Sequence, residues 1–289
     1  MDSRSGTPQA RPAADAAART AADRLRAGVA GTCFVVADWV AETGSTNRDL
    51  MARAAAADPA DPTAEGRRPA VLVTDHQTAG RGTKGRSWFD PPGGSLLLSV
   101  RLFPEVAPSK LHLFIMALSV AAADACSVVA GVTVGLKWPN DLFVGDRKLA
   151  GVLAESSLRG GRVDALVIGI GMNVNWPAEI PEDLGELAVA LNHVAGHDLD
   201  RVELAVALVR GLDRELTGLA GPGGEADLLR RYRERSATIG RRVRVELPDG
   251  PLVGLAVGVD DDGLLVVDAD GERRTFAAAD VTHLRHDGG

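Results

Sequence analysis

The sequence predicts an α+β fold with a mixed, mostly antiparallel sheet flanked by helices and a small C-terminal β-barrel. The chain has 289 residues, and one domain commonly holds about 100–200. Up to about residue 235, short apolar runs alternate with segments of helical apolar spacing. Beyond that point, Asp-Gly pairs at Asp249, Asp262 and Asp270 separate strand-like runs, which is a strong hairpin signal. We therefore predict three parts, at residues 1–30, 31–237 and 238–289.

The composition is that of a folded protein. Hydrophobic residues make up 45% and charged residues 25%, which excludes a disordered or collagen-like chain. Asp and Glu number 39 against 32 Lys and Arg, so the formal net charge is −7. This acidic balance disfavours binding of nucleic acid through the overall field of the protein. Cys33 and Cys126 lie far apart and form no disulfide framework or metal-ligand pair, which fits a reducing cytosol.

The N-terminal part is predicted to be a disordered or weakly ordered tail. Residues 1–30 are rich in Ala, Arg, Pro and Ser and lack the apolar segment of a signal peptide, so we expect no secretion. A later apolar run, Leu113 to Leu136, carries the single charge Asp124. Glycines and β-branched residues near position 130 interrupt it, so we interpret it as a buried helix over about 109–128 and a strand over about 132–138 rather than a membrane span.

The other elements follow from apolar runs, turns and helix-capping patterns. Thr46 to Asp49 matches a capping box and opens a helix through about Ala57. Asp200 with Glu203 begins a second helix, which ends at Pro222-Gly223-Gly224. Strands are predicted at Phe34–Val40, Ala70–Asp75, Ser95–Phe103, Lys148–Ser156 and Val163–Val174, and a further helix at Glu225–Arg235.

A glycine-rich, cationic loop follows the second predicted strand. Gly80 to Ser87 matches the dinucleotide string G-x-G-x-x-G and differs from a Walker A loop by Arg86 in place of lysine. Both motifs need a helix directly after the loop, and Pro91-Pro92 prevents one. Glycines mixed with Arg81, Lys84 and Arg86 still predict a loop that approaches an anionic ligand. The alternative is an exposed loop with solvated charges.

Two further blocks combine turn residues with polar side chains. The block Lys137 to Asp141 ends the strand after the buried helix, and a connection of hairpin length containing Gly145-Asp146 leads to Lys148. This hairpin places Asp141 and Lys148 at the same end, either in a site or as a surface salt bridge. In Gly169-Ile170-Gly171, the strand glycines mark the close approach of a ligand or, alternatively, tight sheet packing.

Five blocks together resemble, in order, the motifs of biotin protein ligases. The resemblance covers about residues 34–285. It implies a catalytic domain similar to class II synthetases and lipoate ligases, followed by an SH3-like barrel. The blocks are Glu42-Thr43-Gly44-Ser45-Thr46-Asn47, Gln77-Thr78-Ala79-Gly80-Arg81-Gly82 with Gly85-Arg86-Ser87-Trp88, Lys137-Trp138-Pro139-Asn140-Asp141, Arg147-Lys148-Leu149-Ala150-Gly151 and Gly169-Ile170-Gly171-Met172-Asn173.

The resemblance also implies the roles of individual residues. Lys148, Arg81 and Asp141 are the expected catalytic residues. Residues expected to bind biotin are Ser45, Thr46, Asn47, Gln77, Gly80, Arg81, Gly82, Thr83, Lys148 and Gly151. Residues expected to bind ATP or the adenylate are Arg81, Arg86, Trp88, Asn140, Asp141, Lys148 and Asn173.

The implied reaction is ATP-dependent activation of biotin to biotinyl-5′-AMP. The biotin is then transferred to a lysine of a biotin carboxyl carrier protein domain of acyl-CoA carboxylase. Mg²⁺ is expected to accompany ATP without a metal site of the protein's own. Bifunctional members of the family carry an N-terminal DNA-binding domain, for which about 30 residues are too few. We therefore expect a monofunctional, cytoplasmic enzyme, monomeric or weakly dimeric, with no DNA or membrane partner. The alternatives are a lipoate or octanoate ligase or acyltransferase of the same fold, and a non-catalytic biotin-binding protein.

Overall fold

The computed structural model describes residues 10–82, 91–277 and 280–284, and the elements within these ranges alternate along the chain. The helices are α1 Ala10–Val29, α2 Thr46–Ala56, α3 Leu111–Ala130, α4 Glu182–Leu187, α5 Leu191–Ala195, α6 Arg201–Leu219 and α7 Gly224–Glu234. The strands are β1 Val36–Val40, β2 Ala70–Thr74, β3 Ser95–Leu102, β4 Gly135–Lys137, β5 Asp141–Val144, β6 Arg147–Arg159, β7 Arg162–Asn173, β8 Arg242–Glu246, β9 Leu252–Val259, β10 Leu265–Ala269, β11 Glu272–Phe276 and β12 Asp280–His283.

The larger sheet is mixed and mostly antiparallel, which confirms the predicted fold class. Its seven strands run in the order β1-β2-β3-β7-β6-β5-β4. The β1–β2 pair is parallel, and the other neighbouring strands pair antiparallel. β6 and β7 form a long hairpin that places Gly151 opposite Gly171. The glycine-containing strand β7 therefore lies in the middle of the sheet, beside β6, which carries Lys148.

Helices cover the two faces of this sheet unequally. Successive strand residues point to opposite faces, and alternate residues of β3 and β7, such as Leu98 and Ile170, join the large core with α1, α3, α6 and α7. On the other face, Leu50 of α2 packs with Leu72 and Val167 in a smaller cluster. That face is covered only in part, which leaves room for a pocket beside α2.

The N-terminal segment corrects one prediction. Residues 10–29 form a helix rather than a disordered tail, and Ala18, Ala22, Leu25 and Val29 of this helix are buried in the main core. The apolar side chains at spacings of three and four residues form one stripe, and alanine has the highest helix propensity. The alanine-rich composition that resembled a tail is therefore that of a packed helix.

The beginning of α2 corrects a second prediction. Ser45, not Thr46, is the N-cap residue, and its side chain makes no capping hydrogen bond. The carboxylate of Asp49 accepts a hydrogen bond from Thr43 at 2.5 Å instead of returning to the N-cap amide. The capping box is therefore absent, and the hydroxyls of Ser45 and Thr46 are left for contacts outside the helix.

The apolar run after residue 110 is the core helix α3. The segment Pro108–Ala130 is long and apolar enough to cross a membrane, but 67% of its most apolar window is buried inside the protein. Gly131 ends the helix in the left-handed conformation at φ 65°, which costs glycine no steric strain. The charge of Asp124 is paired with Arg235 at 2.8 Å. The helix and short strand predicted here are both present, with the strand at Gly135–Lys137.

The C-terminal strands form a five-stranded antiparallel sheet in the order β11-β10-β9-β8-β12. Trp138 joins this sheet to the larger domain. Its backbone N–H donates to the Thr238 hydroxyl at 3.0 Å, and its indole N–H donates to the Gly263 carbonyl at 3.3 Å. The side chain is 2% exposed. Trp138 is therefore a core residue, and it also anchors the second sheet beside the Asp141 hairpin.

Replacing Arg101 by methionine is expected to lower the free energy of unfolding by about 2–4 kcal/mol. The guanidinium of Arg101 is fully buried and donates to the carbonyls of Glu65 at 2.6 Å and Arg68 at 2.9 Å. Without it these carbonyls lose a charged donor, and the buried space around the guanidinium loses its hydrogen bonds. Urea unfolding measures the change, and Arg244→Met, which removes an exposed pair with Glu246, should change stability by less than about 1 kcal/mol. Equal losses in both variants would contradict this account.

The folded protein is expected to lose stability as the pH falls from about 6.5 to about 4. Burial, with the cations Lys137 and Arg241, lowers the pKa of His283 to about 4 from its ordinary 6.5. The unfolded chain therefore takes up a proton at a higher pH than the folded chain does. Melting temperatures at pH 7.5 and 5.0 measure the loss, which should be smaller in His283→Gln. An unchanged pH dependence in that variant would show that other groups cause it.

Candidate active site

A pocket of about 290 Å³ opens on the sheet face that α2 covers only in part. Its floor is formed by the residues of β3 and β7 that point away from the main core, among them Leu97, Ser99 and Gly171. The beginning of α2 forms one wall, and the hairpin of β5 and β6 forms another. This position explains why residues from all five sequence blocks meet in one place.

The structure brings most of the predicted site residues together. The residues listed here all line the pocket: Ser45, Thr46, Asn47, Gln77, Arg81, Gly82, Asn140, Asp141, Lys148, Gly151 and Asn173. Gly80 does not line it, and lies behind Gln77. Thr83, Arg86 and Trp88 lie outside the described residues.

A hydrogen-bonded polar cluster forms the wall at the start of α2. The amide oxygen of Gln77 accepts from the backbone N–H of Thr46 at 2.9 Å, so Gln77 satisfies one of the free donors of the helix N-terminus. The Thr46 hydroxyl lies 2.6 Å from the Ser99 hydroxyl, and Ser99 donates to Asn47 Oδ1 at 2.6 Å. Thr46, Asn47 and Ser99 are buried. Their polar atoms are therefore held in place before any ligand arrives.

Glycines of β6 and β7 make room for this cluster and for the lysine opposite. A Cβ on Gly169 would lie 2.3 Å from Asn47 Oδ1, closer than any side chain tolerates. A Cβ on Gly151 would lie 3.1 Å from Lys148 Nζ and 3.4 Å from Asp141 Oδ1. The close approach predicted at Gly169 is thus that of the Asn47 amide, and Gly151 on the neighbouring strand makes room for Lys148 and Asp141.

The second wall carries the charged pair that the hairpin predicts. β5 and β6 are antiparallel neighbours, and Lys148 Nζ lies 2.6 Å from Asp141 Oδ1 with both side chains partly exposed. Burial and, to a smaller degree, the Asp141 carboxylate raise the pKa of Tyr232. This phenol therefore stays neutral beside the pair. The ammonium group faces the pocket, where it can approach an anionic ligand.

The two asparagines expected to bind ATP or the adenylate have different environments. Asn140 donates to the Val152 carbonyl at 2.6 Å and holds the turn before β5 against β6. Asn173 donates to the Val189 carbonyl at 3.0 Å. Its Oδ1 is buried with no hydrogen-bond partner among the described residues. A buried acceptor of this kind is costly unless a ligand or water donates to it, so Asn173 is suited to a ligand donor.

Sequence reasoning missed several residues of the site. Ser99 is a small polar residue inside an otherwise apolar strand, and this break in the pattern was the available signal. Trp176, Leu184 and Leu187 form an apolar wall beside Lys148. Leu187 is 64% exposed, and no periodic pattern in the sequence pointed to the short helix that carries it.

An ion pair also ties the beginning and the end of the glycine-rich loop. Arg201 donates to the Asp75 carboxylate at 2.7 Å and to the Ser95 carbonyl at 3.1 Å. The N–H of Gly93 donates to the Asp75 carbonyl at 3.3 Å. The residues before and after segment 83–90 are therefore held near each other by the first turn of α6.

Family profiles identify the class of protein that this fold and site define. The profile of the Biotin/lipoate A/B protein ligase family matches residues 46–173, which span the described pocket. The profile of the Biotin protein ligase C terminal domain matches residues 238–284, which span the five-stranded sheet. The chain is thus a ligase of the biotin and lipoate class.

Comparison with individual proteins distinguishes the biotin ligases within this class. A biotin–[acetyl-CoA-carboxylase] ligase of Mycobacterium tuberculosis is 38% identical over 263 residues, covering 89% of this chain and 92% of that protein. The bifunctional ligase/repressor BirA of Escherichia coli is 31% identical over 212 residues. The matched region covers 73% of this chain and 65% of that protein. A biotin protein ligase from Aquifex aeolicus in complex with biotin and ATP has a TM-score of 0.71 at 26% identity, covering 87% of this chain and 100% of that one. The chain belongs to the biotin protein ligase family and is an enzyme of this kind.

Proposed function

We propose that this protein activates biotin with ATP to biotinyl-5′-AMP and transfers the biotin to a lysine of a carrier domain of acetyl-CoA carboxylase. The observation that carries the proposal is one pocket with two chemically different walls. One wall is the neutral polar cluster of Thr46, Ser99 and Gln77. The other is the charged pair of Lys148 and Asp141. A ligand with a polar, uncharged head and a carboxylate at its far end fits this arrangement, and biotin has both.

The first step needs charge stabilisation more than a general base. The biotin carboxylate is already a nucleophile at neutral pH, and its approach to ATP is opposed by the negative phosphates. Lys148 stabilises the charge that develops as a carboxylate oxygen attacks the α-phosphorus. The bond from that phosphorus to the bridging oxygen breaks and pyrophosphate leaves. In the second step the carrier lysine attacks the acyl carbon, loses a proton and releases AMP.

The remaining residues position the two substrates. Ser45, Thr46, Asn47, Gln77, Gly82 and Gly151 form the biotin side of the proposed site, with Arg81 and Lys148 between the two ligands. Gly80 would act through Gln77, beside which it lies. Asn140, Asp141 and Asn173 form the nucleotide side. Thr83 is proposed to bind biotin, and Arg86 and Trp88 to bind ATP or the adenylate, as the family resemblance implies. These three residues lie outside the part of the chain that the structure describes. Holding both reactants in one pocket converts an encounter in solution into an oriented reaction.

Mg²⁺ is proposed to accompany the triphosphate, whose charge it neutralises. Among the described residues, no group of three or more His, Cys, Asp or Glu is placed to hold a metal ion. Mg²⁺ usually binds one or two carboxylates together with substrate phosphates. Asp141 is the carboxylate of the charged wall that could serve in this way.

The proposed setting is the cytoplasm, where acyl-CoA carboxylases and ATP are both present. We propose action as a monomer or weak homodimer without DNA or membrane partners. The acidic net charge of −7 supports the lack of a DNA partner.

ATP–pyrophosphate exchange with biotin, lipoate or octanoate supplied singly tests the first step. Exchange with biotin alone is expected. Exchange with lipoate or octanoate instead would overturn the substrate while keeping the reaction. Absence of exchange with every acid would overturn ATP-dependent activation and favour a binding protein or an acyltransferase.

A further inference from the structure

Arg201, the first residue of α6, lies where strands of the larger sheet end beside the pocket. One guanidinium nitrogen donates to Asp75 Oδ1 at 2.7 Å, and another donates to the Ser95 carbonyl at 3.1 Å. The same Asp75 oxygen accepts from the Trp39 indole N–H at 3.0 Å. The guanidinium lies over the Trp39 ring, 5.5 Å from its centroid. These contacts hold a planar group in one orientation, so both of its hydrogen bonds have a fixed direction.

The two hydrogen-bond partners of Arg201 belong to opposite sides of the proposed site. Asp75 precedes Gln77 by two residues, and the Gln77 side chain holds the beginning of α2 on the biotin side. Ser95 is the ladder partner of Asn173, which belongs to the nucleotide side. Arg201 therefore connects the segment that carries Gln77 with the strand pair that carries Asn173.

The backbone from which the Arg201 side chain projects is itself attached to the end of β7. Asn175 Nδ2 donates to the Leu199 carbonyl at 2.9 Å, and the Leu199 N–H donates to Asn175 Oδ1 at 2.9 Å. Leu199 is two residues before Arg201, and Asn175 is two residues after Asn173. The beginning of α6 is thus held to the nucleotide side, and the guanidinium extends from there to Asp75.

Backbone pairing between β2 and β3 stops before the biotin side is reached. The ladder of these two strands ends at Thr74 and Leu97, and Gln77 comes three residues after Thr74. Past the ladder, Gln77 bridges to Thr43 instead. Side-chain contacts therefore help to set the distance between the Gln77 segment and β3, and Arg201 makes one contact to each.

We propose that Arg201 is a positioning residue that fixes the biotin side of the site relative to the nucleotide side. The proposal rests on the proposed function, because the quantity it sets is the distance from the biotin carboxylate to the α-phosphorus. Each side also has hydrogen bonds of its own, from Thr46 to Gln77 and from Asn173 to Val189. Loss of Arg201 therefore slows the reaction between bound substrates more than it weakens binding, since a misplacement of about 1 Å can lower a rate about 100-fold.

Arg201→Met tests this role, because methionine keeps an unbranched side chain and removes every donor. ATP–pyrophosphate exchange at saturating biotin and ATP measures kcat, and titration calorimetry measures the Kd of biotin alone. The kcat is expected to fall about 10- to 100-fold, while the Kd changes by less than about threefold. Arg201→Lys keeps the charge beside Asp75, but a single nitrogen does not reproduce the two-nitrogen contact. Its kcat is expected to lie between those of the wild type and Arg201→Met.

Arg210→Met is the matched control. Arg210 is also on α6 and also donates to a carbonyl, that of Gly28, but it does not line the pocket. Its kcat is expected to equal that of the wild type. A wild-type kcat in Arg201→Met, or in Arg201→Lys if the methionine variant does not fold, would overturn the proposal. A Kd of biotin that rises as much as kcat falls would also overturn it, because the damage would then lie in the biotin side itself. Absence of exchange by the wild type would instead overturn the proposed function.

Discussion

Lys148→Ala is expected to slow formation of the adenylate by about 10³-fold while the protein remains folded. The Lys148 ammonium group lies in the charged wall of the pocket, 2.6 Å from Asp141 Oδ1. The attack of a carboxylate on ATP brings negative groups together at this place. A salt bridge this exposed contributes about 0–1 kcal/mol to stability. The loss in rate is therefore expected without a comparable loss in melting temperature. ATP–pyrophosphate exchange at saturating biotin and ATP measures the rate.

Lys110→Ala is the matched control for this variant. Lys110 also forms a single ion pair with a carboxylate, Glu225, at 2.7 Å, but does not line the pocket. Its replacement is expected to leave the exchange rate unchanged. Exchange by Lys148→Ala at the wild-type rate would remove Lys148 from the catalytic residues. Equal losses in both variants would point to a general effect of removing a lysine.

Gly169→Ala is expected to raise the KM for biotin by about 10- to 100-fold. The new methyl group would lie 2.3 Å from Asn47 Oδ1 and 3.1 Å from Ser99 Oγ, so Asn47 must move. Because Asn47 holds Ser99, which in turn contacts Thr46, the whole polar wall is expected to shift. Steady-state kinetics with biotin varied at saturating ATP measure the change.

Gly258→Ala is the control for this substitution. Gly258 also lies in a strand, β9, and an added Cβ there meets nothing within 4 Å. Its kinetics are expected to match those of the wild type. An unchanged KM in Gly169→Ala would show that the Asn47 position does not matter for biotin. A fall in kcat alone would place the effect on the reaction rather than on binding.

Much of the site could be predicted from the sequence, because its motifs lie at turns and strand ends, where local sequence patterns are strong. A Pro-Asn-Asp turn followed by Gly-Asp predicts a hairpin from short-range geometry alone, and the hairpin then brings Asp141 to Lys148. In the same way, the strand glycines at 169 and 171 predicted that another group comes close to the strand backbone. Which group approaches Gly169 was not visible, because Asn47 comes from a helix more than a hundred residues earlier.

The errors also have physical causes. An alanine-rich segment is compatible with both a solvated tail and a packed helix, and only a partner surface decides between them. α1 has that surface, since its apolar stripe packs into the main core. The capping pattern at Thr46 failed because Gln77, distant in sequence, satisfies the helix N-terminus. Asp49 was then free to bind Thr43.

The sequence by itself determined the α+β class, the sheet-forming runs, the buried helix α3 and the set of residues that resembles the biotin protein ligases. These depend on periodicity, turn chemistry and short motifs, which are local properties of the chain. Only the tertiary structure decided that α1 is part of the core, that Ser99 belongs to the site, and which carbonyl and amide groups pair there. Those properties arise from contacts between residues far apart in sequence, and a hydrogen bond has a direction only once both partners are in place.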